Sequence, residues 1–332
     1  MADRGWLRRN FPVLLGAGVS AALAFLALRN VRPGEAWRAL SNVNLWWLPA
    51  LVGVTLADLA IRALRWRLIL AGASSNAGVK QLVRLETIGL AVNNVLFLRL
   101  GEIARAYLAA RELGMPVLTS LATIFVERVL DTATLVLLFA LAAWFQPLLV
   151  PASFSKTAFA LVAGVIAALV ALAVLDGRLR GGFLERRLAG YPRVFSFVER
   201  AALGTRSLRA WLPAAQIVAL GLGLWLCDAL MYWFGGRAMG LTPALIYGHS
   251  LLILSSAAAS SFLPAVPGSF GTFEQTVKTL LVYLGIDPAA ALSYAGFVHV
   301  VNYVVVTGLG VLFLYREGMT LSKLKSLRDA GG

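Results

Sequence analysis

The sequence predicts an all-α polytopic membrane protein with about six spanning helices and two re-entrant broken-helix hairpins, arranged as an inverted repeat. Three observations predict it. Hydrophobic residues make up 59% and charged residues 14% of the 332 positions, whereas soluble domains average about 45–50% and about 25%. Six stretches are apolar over about 20 residues, the length that crosses a bilayer core. Short matches recur between the two halves of the chain at a nearly constant offset. The longest polar interval, Asp176 to Arg209, falls short of the roughly 50 residues of a small domain, so residues 1–332 read as one transmembrane domain.

The expected spans are 11–29, 45–67, 117–145, 156–175, 211–235 and 291–315. The first begins after Arg4, Arg8 and Arg9, but its apolar run from Phe11 to Leu28 is longer than the roughly 7–15 residues of a signal-peptide core, which favours a retained helix. Segment 176–210 carries eight arginines against Asp176, Glu185 and Glu199, while 146–155 is uncharged. The positive-inside rule therefore assigns 176–210 as a basic cytoplasmic loop. Counting through six spans puts both termini in the cytoplasm of a cell-membrane protein. Arg29, Arg32 and Arg38 then fall outside, where their side chains would snorkel to headgroups.

Two apolar stretches, 81–112 and 244–285, begin and end on one side and are interrupted midway. The interruptions are Asn93 to Glu102 and Leu263-Pro264-Ala265-Val266-Pro267-Gly268-Ser269-Phe270-Gly271-Thr272-Phe273-Glu274. Proline removes a backbone donor and glycine loosens the chain, and freed backbone groups survive at membrane depth only inside protein or along a wet cavity. Glu102 and Glu274 lie 172 positions apart, as do Phe125-Val126 and Phe297-Val298, and the same offset pairs Glu127 with His299 and Asp131 with Tyr303. Trp47-Leu48-Pro49-Ala50 recurs as Trp211-Leu212-Pro213-Ala214. The first repeat is thus 45–145 with hairpin 81–112, and the second 211–315 with hairpin 244–285. Opposite starting sides make the repeat inverted, the plan of many secondary transporters.

Charge inside a span costs about 2.5–3.5 kcal/mol on insertion scales and needs a partner or a cavity. Asp58, Arg62 and Arg65 share a helical face, as do Glu127 and Asp131 beside Arg128, and Arg99, Glu102 and Arg105. An ion-pair lock would account for these groups, with Arg99 or Arg105 paired to the carboxylates. So would an anion site, because guanidinium forks match phosphate oxygens. Asn93 and Asn94 can cap the first break, Pro267, Gly268 and Gly271 open the second, and His299 either carries a proton or bonds a carbonyl. The candidate substrate-binding residues are therefore Arg62, Arg65, Asn94, Arg99, Glu102, Arg105, Glu127, Arg128, Asp131, Pro267, Gly268, Gly271, Glu274 and His299.

Net charge of +14 belongs to loops of a membrane protein rather than to a nucleic-acid face. Cys227, His249 and His299 are the only cysteine and histidines, too few for a typical zinc site. No catalytic metal or cofactor is expected, and GxxxxGK[ST], HExxH and GxSxG are absent, so nucleotide hydrolysis and zinc or serine hydrolysis have no motif.

With these residues in view, the chain resembles the lysylphosphatidylglycerol synthase transmembrane-region family of flippase-like proteins. The resemblance rests on Arg62-Ala63-Leu64-Arg65-Trp66, on Asn94 with Arg99-Leu100-Gly101-Glu102 and Arg105, on Glu127-Arg128-Val129-Leu130-Asp131, and on Leu263-Pro264 with Pro267 to Glu274. Phe97 stands where the family usually has a proline. The resemblance implies movement of a polar- or anionic-headgroup lipid between leaflets, the lipid being polyprenyl-phosphate-linked, aminoacylated, hopanoid or similar. It implies a stand-alone member without the soluble synthase domain, not an enzyme. The alternative is an accessory membrane subunit that partners a lipid-modifying enzyme without transport.

Overall fold

The computed structural model describes residues 4–29, 31–73, 77–96, 100–144, 152–175, 205–242, 244–261 and 263–316, with positions 186, 190, 191, 195, 196, 198–200 and 202 between them. Every regular element among the described residues is a helix. In chain order these are α1 (Arg4–Leu28), α2 (Pro33–Ser41), α3 (Leu48–Gly72), α4 (Val79–Val95), α5 (Gly101–Leu113), α6 (Val117–Trp144), α7 (Ala152–Leu175), α8 (Trp211–Ala238), α9 (Tyr247–Ser260), α10 (Thr272–Tyr283) and α11 (Pro288–Arg316).

All six expected spanning stretches are helical, in α1, α3, α6, α7, α8 and α11. Among the described residues, three helical segments are long and apolar enough to cross a membrane outright: Leu45–Gly72, Trp211–Ala238 and Pro288–Arg316. Helix α6 spans 28 residues but carries Glu127, Arg128 and Asp131. The chain is an integral membrane protein by these helices. Prolines open several of them at positions whose N–H has no partner in any helix. At α11, Asp287, the residue before Pro288, accepts through Oδ1 from Ala289 N at 2.9 Å and Ala290 N at 3.1 Å, a side-chain cap on the orphan donors of the first turn.

Both expected hairpins are helix, break, helix. Helices α4 and α5 flank residues 96–100, of which Phe97, Leu98 and Arg99 lie outside the described residues; α9 and α10 flank 261–271. The second break holds Ser269, Gly268 and Gly271 at φ of 58°, 72° and 84°. Gly271 is constrained twice over, since a Cβ there would stand 2.5 Å from the Ser20 carbonyl oxygen of α1. Only glycine meets both the left-handed backbone and the close approach.

The chain forms two compact units: residues 1–57, 90–101 and 226–312 in the first, and 58–89, 102–225 and 313–332 in the second. Leu51, Ile253, Val277, Leu281 and Tyr294 are buried in the first. There the Tyr294 hydroxyl donates to the Tyr232 carbonyl at 2.6 Å, and α1 packs along α10. Leu59, Trp66, Ile69, Leu70, Leu82, Leu85, Ile88, Ile217 and Leu224 are buried in the second, where α6 lies against α7.

Candidate functional site

In the second unit the buried charges of α3, α4, α5 and α6 meet. The Asp58, Arg62 and Arg65 spacing puts three charges on one face of α3, and Arg62 Nε donates to Asp58 Oδ2 at 2.8 Å. Arg65 reaches α6, with Nη2 2.6 Å from Asp131 Oδ1 and 3.7 Å from Glu127 Oε1. Arg105 of α5 grips Glu127 through Nη2 at 2.6 Å and also pairs with Glu86 of α4. Arg128 returns to its own helix, 2.7 Å from Glu127 Oε1 and 3.4 Å from Asp131 Oδ2, and Arg62 Nη1 lies 4.0 Å from the same Asp131 oxygen.

Two tryptophans floor this network. The Arg105 guanidinium lies 3.7 Å from the Trp66 ring centroid, and Trp66 Nε1 donates to Thr123 Oγ1 at 3.2 Å. Arg62 stands over Trp225 at 5.1 Å, and Trp225 Nε1 donates to Asp131 Oδ1 at 3.2 Å. Flat guanidinium on an aromatic face keeps its edge free for carboxylates. Gly221 of α8 adds room: a Cβ there would come within 3.3 Å of Arg65 Nη1.

Four guanidiniums (Arg62, Arg65, Arg105, Arg128) face four carboxylates (Asp58, Glu86, Glu127, Asp131), so the cluster is balanced when all are ionised. That balance is what permits burial, because an unpaired interior charge costs several kcal/mol. Exposure within it is uneven. The Arg65 and Arg105 side chains are 0% and 3% exposed, and Arg128 is 35% exposed.

In the first unit, both hairpin breaks lean on α11. Asn93 Oδ1 accepts from Gly101 N at 2.7 Å, closing the first break. Asn94 Nδ2 donates to Thr307 Oγ1 at 2.9 Å, and Tyr303 donates to the Asn94 carbonyl at 3.3 Å. At the second break, Glu274 Oε2 accepts from Gly271 N at 2.6 Å and its Oε1 lies 2.6 Å from His299 Nδ1. The His299 ring is flanked by Phe270 at 4.7 Å and Phe273 at 4.4 Å. His299, Tyr303 and Thr307 follow at spacing four, one stripe of α11 that touches both breaks.

The profile of the lysylphosphatidylglycerol synthase TM region matches residues 13–310. The chain belongs to that family. Three UPF0104 membrane proteins of Methanothermobacter thermautotrophicus are similar to it: one is 22% identical, covering 96% of this chain and 98% of the relative. The others are 25% identical over 85% and 86%, and 24% identical over 86% and 88%. The family match takes in α3 to α10 entire and most of α11, so both groups of polar residues lie within it.

The sequence-selected residues thus separate by unit. Arg62, Arg65, Arg105, Glu127, Arg128 and Asp131 come together in the second, and Asn94, Gly268, Gly271, Glu274 and His299 in the first along with Pro267. Glu102 stands half-buried in the first turn of α5, and Arg99 lies outside the described residues. Arg105 pairs with Glu127 as its charge suggested, and His299 bonds a carboxylate rather than a carbonyl. Sequence reasoning passed over Glu86 and Thr123, left Trp225 out of the site, and gave Trp66 no role beyond its place in the Arg62 to Trp66 motif. Glu86 carried a signal, as the one acid in the mostly apolar stretch Leu82 to Leu96.

Proposed function

We propose that this protein moves a lipid with a polar or anionic headgroup between membrane leaflets, with the polar head handled by the buried charges and the acyl chains left in the bilayer. The observation that carries the reading is the balanced network in the second unit. Eight ionisable groups gathered in helices of a membrane protein are rare, and such groups mark substrate or ion pathways. Arg128, partly exposed and shared between Glu127 and Asp131, is the group a phosphate can approach without first opening the interior. A phosphate oxygen bound to Arg128 would compete with those carboxylates, loosening their hold on Arg65 and Arg105 or drawing a proton onto one of them. Arg62, Arg65 and Arg105 complete the receiving set in the same unit, and Glu127 and Asp131 balance it.

The inverted repeat belongs to the same reading. Helices α5 and α6 begin at residues 101 and 117, and α10 and α11 at 272 and 288, a shift of 171 for both. Two copies of a broken hairpin followed by a long helix support a pair of half-structures that alternate access. The family is that of the lysylphosphatidylglycerol synthase TM region, which supports a lipid as the ligand.

The test is native mass spectrometry of protein purified gently with its own lipids, beside Arg128→Gln that passes a folding check. A specific anionic lipid enriched over bulk membrane and lost in the variant is expected, and that lipid then becomes the cargo in a proteoliposome leaflet-exchange assay. Bulk lipid carried equally by both proteins would remove the network from the site. Co-purification of a lipid-modifying enzyme with no leaflet exchange would replace transport by the accessory-subunit reading.

A further inference from the structure

Helix α2 is a nine-residue segment with no buried residue. Pro33, Ala36, Trp37 and Leu40 fall on one face and Glu35 and Arg38 on the opposite one. Trp37 is 72% exposed, and just beyond the helix Leu45 and Trp46 are 61% and 91% exposed. In water such a row of apolar groups would be a liability. Its place in the fold decides the partner.

Two hydrogen bonds within the first unit and the run of the chain fix the level of α2. The Ser293 hydroxyl, in the second turn of α11, donates to the Ala36 carbonyl at 3.0 Å. Asn44 N donates to the carbonyl of Ala238, the last residue of α8, at 2.8 Å. Leu45 itself opens the membrane-length segment Leu45–Gly72. Each membrane-length segment therefore has one end beside α2 or the short connection after it. The axis of α2 is bent 83° from that of Leu14–Leu28, so a helix α1 standing upright leaves α2 lying flat.

We infer that α2 and the Leu45-Trp46 pair form an interfacial anchor: Trp37, Leu40, Leu45 and Trp46 sink into the boundary between headgroups and acyl chains, while Arg32 and Arg38 bind lipid phosphates. A flat amphipathic helix with aromatic and basic residues suits this zone and no other part of a bilayer. The Arg32 side chain is 84% exposed, its Nη1 3.2 Å from Glu35 Oε1, which leaves the rest of its fork for phosphate oxygens. The anchor also accounts for arginines at a membrane end where the charge rule disfavours them.

Cys227 is the sole native cysteine, so spin labels can be placed singly on a folded Cys227→Ser background at positions 35, 37, 38 and 40. The protein is reconstituted in phosphatidylcholine vesicles with and without phosphatidylglycerol. Labels at 37 and 40 should be several-fold more accessible to oxygen than to a water-soluble nickel chelate, and labels at 35 and 38 the reverse. Phosphatidylglycerol should deepen the label at 40, and Arg32→Gln with Arg38→Gln should abolish that deepening. Equal nickel access at all four positions would overturn the anchor. So would dipolar broadening at 37 and 40 that disappears on dilution with unlabelled protein, because a second copy would then be the occupant. A label at 40 indifferent to phosphatidylglycerol would overturn the phosphate contact.

Discussion

Arg105 is held by two carboxylates on two different helices and by an aromatic face beneath it. Removing it leaves Glu86 without the only cation paired with it among the described residues, and breaking a buried pair from one side costs about 3–5 kcal/mol. Arg105→Met should therefore lower stability in detergent by that amount, and Arg105→Met with Glu86→Leu should regain more than half of it. A double variant no more stable than the single one would separate Glu86 from the network. Trp66→Phe keeps a ring under Arg105 but deletes the bond to Thr123, a loss of about 1 kcal/mol that thermal unfolding can resolve. These residues were only partly legible from the sequence. The Asp58, Arg62, Arg65 face and the Glu127, Asp131 face follow from helical spacing, whereas Glu86 and Arg105 are nineteen positions apart and no spacing rule relates them. The roles of Trp66 and Trp225 are not legible in the sequence, because their N–H groups gain meaning only from Thr123 and Asp131 across a helix interface.

Among the elements, the second break is more demanding than the first. Gly271 combines a φ of 84° with contact against α1, so Gly271→Ala should destabilise the protein by about 1–3 kcal/mol and loosen α1 from α10. Gly53 has no heavy atom near the place of a Cβ and sits inside α3, so Gly53→Ala should be neutral or stabilising by up to about 1 kcal/mol. Thermal melting of the two variants side by side checks the contrast; equal melting temperatures would show that the α1 contact carries no weight. Both breaks were readable in the sequence, the second from its prolines and glycines and the first from its paired asparagines and Gly101. What the sequence could not convey is that His299, Tyr303 and Thr307 serve both breaks from one helix, since that needs the first unit to be assembled.

At the scale of the molecule, composition was sufficient for an all-helical membrane protein, because no soluble packing hides this much apolar surface. Which helices cross outright was less legible, as α6 shows by carrying Glu127, Arg128 and Asp131 through a stretch that reads as a span. Orientation is a separate expectation. A fluorescent protein fused to the C-terminus should fold and fluoresce in the cytoplasm, and a cysteine at residue 190 should react with an impermeant thiol reagent only from that side; dark fusions with labelling from outside would invert the arrangement.

Lys278 offers a consequence for biogenesis. Its buried ammonium donates to the carbonyls of Ala27 at 2.7 Å and Arg29 at 3.0 Å, acceptors at the end of α1. The partners are 251 and 249 residues apart, and at roughly 5–20 residues per second the ribosome delivers the lysine about 12–50 s after the carbonyls. For that interval the end of α1 must be served by headgroups, water or the insertion machinery. Helix α1 is thus made long before the residue that fastens its end.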